Sequence, residues 1–98
     1  MDVRNLEETR EIIRRRMPEL KEKFKVKRIG VFGSFVHDKQ NSSSDIDIIV
    51  EFKEPVGFEF LRLKVYLEEI FGRDVDLITP NALRPEIRDK ILKEVVYT

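Results

Sequence analysis

The clearest periodic stretch of the chain is Asp45 to Phe52, Asp-Ile-Asp-Ile-Ile-Val-Glu-Phe. Its even positions, Ile46, Ile48, Val50 and Phe52, are all apolar, the alternation of a strand with one buried face. Two more strands are predicted. Arg28 to Gly33 is a short β-type run ending in glycine, and Asp74 to Thr79 reads Asp-Val-Asp-Leu-Ile-Thr before Pro80 and Asn81 stop it.

Helical spacing surrounds these strands. Over residues 3–23, Leu6, Ile13, Met17, Leu20 and Phe24 recur at three, four or seven, one apolar stripe on a 3.6-residue period. Pro18 predicts a break or kink near Met17. Phe58 to Phe71 reads as a second helix, with Phe58, Leu61, Val65, Leu67 and Ile70 inward and Gly72 as its stop. Leu83 to Val96 reads as a last helix with Ile87, Ile91, Leu92 and Val95 apolar. Ser34 to Val36 opens a brief helical turn, and the polar run from His37 to Ser44 predicts an exposed, mobile loop.

The order helix, strand, loop, strand, helix, strand, helix predicts one α/β (α+β) domain over residues 1–98, a small mixed sheet flanked by helices. An apolar patch ending in Val95, Val96 and Tyr97 would be covered by pairing with itself or another chain, so a homo-oligomer is one expectation.

Composition narrows the chemistry. Ninety-eight residues without cysteine exclude a disulfide framework, a thiolate metal site and a cysteine nucleophile, and one histidine, His37, leaves no His-rich metal site. The absence of a long apolar run or an apolar leader points to a soluble, cytoplasmic protein with no membrane partner. The 19 basic and 19 acidic residues cancel, but unevenly. Residues 1–28 carry ten basic against six acidic groups, and the rest nine against thirteen. A solvated helix such as the one bearing Arg14, Arg15 and Arg16 accounts for that gradient, with an edge for an anionic partner as the functional alternative.

The chemistry concentrates in Gly33-Ser34, then Asp45-Ile46-Asp47, then Asp76 one strand later. Two Asp at i and i+2 leave one face of a strand with their Cβ atoms roughly 6–7 Å apart. Such carboxylates repel unless a positive charge sits between them, and hard oxygen ligands suit Mg²⁺ or Mn²⁺. Asp76 alternates with Val75 and Leu77 and so faces away from the core, with Asp74 as its rival. If the two strands pair, three carboxylates converge, the arrangement of two-metal phosphoryl and nucleotidyl transfer. Glycine lets backbone approach a phosphate closely, and the Ser34 hydroxyl and following amides can donate to its oxygens.

A strand ending in Gly-Ser, ten residues, then Asp-hydrophobic-Asp-hydrophobic resembles the polymerase β-like nucleotidyltransferase superfamily, which includes DNA polymerase β and kanamycin nucleotidyltransferase. With nothing appended, the chain resembles the minimal nucleotidyltransferases, the MntA-type antitoxins of HEPN–MNT systems. The resemblance implies that Asp45, Asp47 and Asp76 hold two Mg²⁺ ions, or Mn²⁺, and that Asp76 activates the acceptor hydroxyl. It implies that Gly33 and Ser34 grip the triphosphate of ATP or another NTP, and that AMP passes to a tyrosine of a HEPN-domain toxin, silencing it. Many relatives carry Ala-Arg-Gly shortly after Gly-Ser; here the matching stretch is Val36-His37-Asp38, without arginine. His37 and Arg28 are the candidates to stand in.

Two other readings stand beside this one. The chain could neutralise its partner by binding alone, with a vestigial site, or it could modify nucleic acid through its basic N-terminal helix. The second is the weaker, because strand-handling relatives carry additional domains.

Overall fold

The computed structural model describes residues 2–98, and its elements alternate around a four-stranded mixed sheet. They are α1 (Leu6–Lys23), β1 (Val26–Phe32), a 3₁₀ turn (Gly33–Phe35), β2 (Ile46–Phe52), α2 (Phe58–Phe71), β3 (Val75–Ile78), a second 3₁₀ turn (Pro80–Ala82), α3 (Pro85–Glu94) and β4 (Val96–Tyr97). Strand order is β3-β2-β1-β4, with β1 antiparallel to both β2 and β4 and β2 parallel to β3. A parallel pair needs a crossover, and α2 supplies it.

The alternation in β2 decides which side of the sheet is apolar. Ile46, Ile48 and Val50 are fully buried and pack with Ile29 and Val31 of β1 and Val75 and Leu77 of β3. Onto this face α1 brings Ile13 and Leu20, and α2 brings Leu63, Leu67 and Phe71, all completely buried. Residues on the opposite face pair with one another in the same register: Asp47 with Phe32 and Asp76, and Ile49 with Gly30 and Ile78. The carboxylates therefore lie across the sheet from the two long helices.

The C-terminal segment returns to the sheet beside β1, with Val95 and Tyr97 side chains close to Gly30. A Cβ on Gly30 would lie 2.5 Å from Val95 Cγ1 and 3.0 Å from Tyr97 Cδ1, so glycine there makes room for the returning chain. Val96, expected to end the last helix, and Tyr97, expected with it in an exposed apolar patch, instead form β4 on the edge of β1 and are partly buried.

Two helices differ from expectation. α1 runs unbroken through Pro18. Pro18 is exposed, as is Arg14 one turn earlier, so water can reach the carbonyl that proline leaves without a donor. Asn5 caps the helix by accepting the Glu8 amide at 2.9 Å. In α2, Leu67 is buried and Ile70 partly buried as expected, but Phe58, Leu61 and Val65 are exposed, and Leu63 and Phe71 take the core positions. The helix is apolar around much of its circumference, so spacing alone does not select the buried stripe. Among the described residues, no helix is long and apolar enough to cross a membrane.

Candidate active site

Asp47 sits second in β2 and Asp76 second in β3, and the parallel register pairs them directly, as neighbours on adjoining strands about 4.8 Å apart. Asp45 lies exposed one residue before β2, and Asp74 exposed one residue before β3. The Asp74 carbonyl accepts the Ile46 amide at 3.0 Å, so its backbone extends the strand pairing while Asp76, not Asp74, shares the register of Asp47.

Asp47 bears the electrostatic consequence. Its carboxyl is pushed up to about 6, first by burial and then by the charges of Asp76 and Asp45, with Glu94 adding to them. Among the described residues, no three carboxylate or imidazole groups are gathered into a ready-made metal cluster. The chain instead presents a close pair, Asp47 and Asp76, with Asp45 near enough for Asp47 to feel its charge.

Gly33 closes the site from the β1 side. It follows Phe32, the cross-strand partner of Asp47, and its φ of 75° is one that residues with a Cβ rarely adopt. A Cβ here would stand 2.1 Å from Asp47 Oδ2. The turn that follows is short: the amides of Val36 and His37 both reach the Gly33 carbonyl, at 3.1 and 3.3 Å. Ser34 is partly buried, and its hydroxyl makes no hydrogen bond to another described residue. The Ser34 and Phe35 amides, in the first turn, have no acceptor within it.

Glu94 was not foreseen. From the end of α3 its carboxylate accepts the Gly33 amide at 3.4 Å and meets His37 Nε2 at 3.0 Å. The two contacts lie 61 and 57 positions away in sequence, and no local motif signals them. His37 is thus engaged with a carboxylate beside the Gly-Ser turn. Arg28, the other candidate for the missing arginine, pairs with Glu51 and lies over the Tyr97 ring at 4.1 Å, at the far end of β1 from Gly33.

Arg73 was missed as well. Its guanidinium donates to the carbonyls of Val3 at 2.7 Å and of Asn41 and Ser44 at 2.9 Å each, and it lies over the buried Phe35 ring. The loop predicted to be mobile is therefore tied at two carbonyls. It is also laced internally, with Asn41 and Ser44 exchanging hydrogen bonds.

The chain belongs to the nucleotidyltransferase domain family, whose model matches residues 13–98. It is similar to protein adenylyltransferase MntA of Thermococcus cleftensis, 42% identical over 98 residues and spanning 99% of each chain. A solved structure provisionally described as a minimal nucleotidyltransferase superposes with a TM-score of 0.79 at 31% identity, covering 95% of each chain. The tri-AMPylated Shewanella oneidensis HEPN toxin in complex with MNT antitoxin contributes a chain of the same fold, with a TM-score of 0.62 at 18% identity, covering 91% of this chain and 70% of that one.

Proposed function

We propose that the chain is a protein adenylyltransferase that moves AMP from ATP to a tyrosine hydroxyl of a HEPN-domain toxin, acting as its antitoxin. The register of Asp47 with Asp76, next to Gly33, carries this reading. Family membership and the MntA relative support nucleotidyl transfer to a protein. A HEPN toxin is the acceptor we assign on the resemblance of the Gly-Ser…Asp-Ile-Asp pattern to the MntA-type antitoxins, and the fold shared with a chain of the complex of tri-AMPylated HEPN toxin with MNT antitoxin accords with it.

In this reading Asp45, Asp47 and Asp76 would hold a divalent cation, Mg²⁺ first and Mn²⁺ second. An all-oxygen donor set suits such an ion, and the crowding that raises Asp47 is relieved by positive charge. A bound cation supplies neutralisation of the triphosphate and a lower pKa for the attacking hydroxyl.

The chain's own groups do the positioning. Gly33 lets the triphosphate approach the backbone, and the Ser34 hydroxyl with the Ser34 and Phe35 amides donates to its oxygens. The acceptor oxygen forms a bond to the α-phosphorus as the bond from that phosphorus to the bridging oxygen breaks. Pyrophosphate leaves, and the hydroxyl proton passes to a carboxylate oxygen of Asp76.

One observation favours a second reading, neutralisation by binding alone: Glu94 already occupies the Gly33 amide, and no arginine stands nearby in the Val36-His37-Asp38 stretch. Co-expression separates the two. Asp45→Asn/Asp47→Asn fails to silence the toxin if AMP transfer is the mechanism. If masking is the mechanism, the same variant protects fully.

A further inference from the structure

We propose that the solvent face of α2 is a self-association surface, occupied by the same face of a second copy of this chain in antiparallel orientation. Phe58, Leu61 and Val65 are 83%, 58% and 49% exposed, the most prominent large apolar side chains left outside the core. They recur at three and four residues, so they form one stripe along the helix. Beside it runs a groove lined by Phe24, Leu61, Val65 and Tyr66, with Arg62 and Glu69 on its rim. A contiguous apolar stripe with a charged rim is how an interface differs from ordinary surface.

The charges say which occupant fits. α2 carries five ionised side chains, and three are satisfied within the chain: Glu59 by Lys25, and Lys64 and Glu68 by each other. Arg62 and Glu69 are both exposed and have no ion-pair partner among the described residues. Seven residues apart, they lie within about 20° of each other around the helix, roughly two turns apart along it. An antiparallel copy related by a two-fold axis beside Val65 sets Arg62 of each chain against Glu69 of the other. One surface thus supplies both halves of two ion pairs, the self-complementarity that an isologous dimer needs. It also turns Leu61 and Val65 of each copy toward the partner's groove.

This surface lies on the helix layer, across the sheet from Asp47 and Asp76, so its test is independent of the catalytic assignment. Sedimentation velocity of the full chain, run with the wild type, Arg62→Glu, Glu69→Arg and the double variant, reads the pairing directly. The wild type is expected to be a dimer at about 100 μM. Each single reversal creates two like-charge contacts by symmetry and should weaken association by about 10-fold or more, while the double reversal restores it. Both positions are exposed, so circular dichroism should be unchanged in all four proteins. A monomeric wild type, or a dimer unaffected by either single reversal, overturns the proposal. So does a double variant no better than the singles, which would mean that Arg62 and Glu69 do not face each other.

Discussion

Gly33 and Asp47 stand so close that no side chain fits between them: a Cβ on residue 33 would lie 2.1 Å from Asp47 Oδ2. The backbone at 33 also has a φ of 75°. The Gly33→Ala variant must therefore both strain the turn and displace the Asp47 carboxylate. Equilibrium urea unfolding should show a loss of about 1–3 kcal/mol. Nucleotidyl transfer should fall much further than stability does, because the displaced group is the one paired with Asp76. An alanine variant of wild-type stability and activity would show that neither folding nor transfer depends on this close approach.

Asp47 makes stability depend on pH in a defined sense. Its carboxyl is raised from 3.8 to about 6 in the folded chain by burial and by Asp76 and Asp45. Between those values the native state binds more protons than the unfolded state, so stability falls as pH rises from about 4 through 6 and levels off above. Asp47→Asn removes the charge that burial disfavours. The variant should gain up to about 2 kcal/mol near pH 8 and lose most of the pH dependence over that window. Unfolding curves of both proteins at pH 4.5 and 8 check this; a parallel fall in both would assign the dependence to other groups.

Glu94 is the last of the named charges acting on Asp47, and its carboxylate sits on the Gly33 amide. Glu94→Gln should lower the Asp47 pKa, read by carbon-13 NMR of the carboxyl, and should tighten ATP binding by removing a negative charge where phosphate oxygens would come. Unchanged titration and unchanged affinity would together show that Glu94 is a bystander.

Arg73 holds three backbone carbonyls from two separate segments. Arg73→Ala should cost about 2–3 kcal/mol and raise proteolysis within residues 37–45. Arg73→Lys should recover little, since a single ammonium cannot reproduce the planar fork. Full recovery by lysine would show that charge alone secures the loop.

The strand pattern and the carboxylates were legible because they are local. Ile46, Ile48 and Val50 alternate as the buried face of β2 requires, and Asp47 and Asp76 fall on the opposite face by the same rule. The side chosen by α2 was not legible, since Phe58, Leu61 and Val65 are as apolar as Leu63, Leu67 and Phe71, and only packing against the sheet separates them. Pro18 tolerates its helix because its position is exposed, a property that periodicity in a single stretch does not fix. The two-residue strand β4 is too short to carry a period, and its place is set by the space that Gly30 leaves open. Glu94 and Arg73 act across 61 and 70 positions, at Gly33 and Val3, so no spacing rule could have joined them to their partners.

The proposed AMP transfer to a protein depends on the Asp47–Asp76 site. It is read by incubating the chain with α-labelled ATP, Mg²⁺ and a HEPN-domain toxin, beside the folded Asp47→Asn variant. Label is expected on a toxin tyrosine with the wild type and none with the variant. Equal labelling by both proteins, or an unlabelled toxin that the wild type nevertheless neutralises, would rule out transfer by this site.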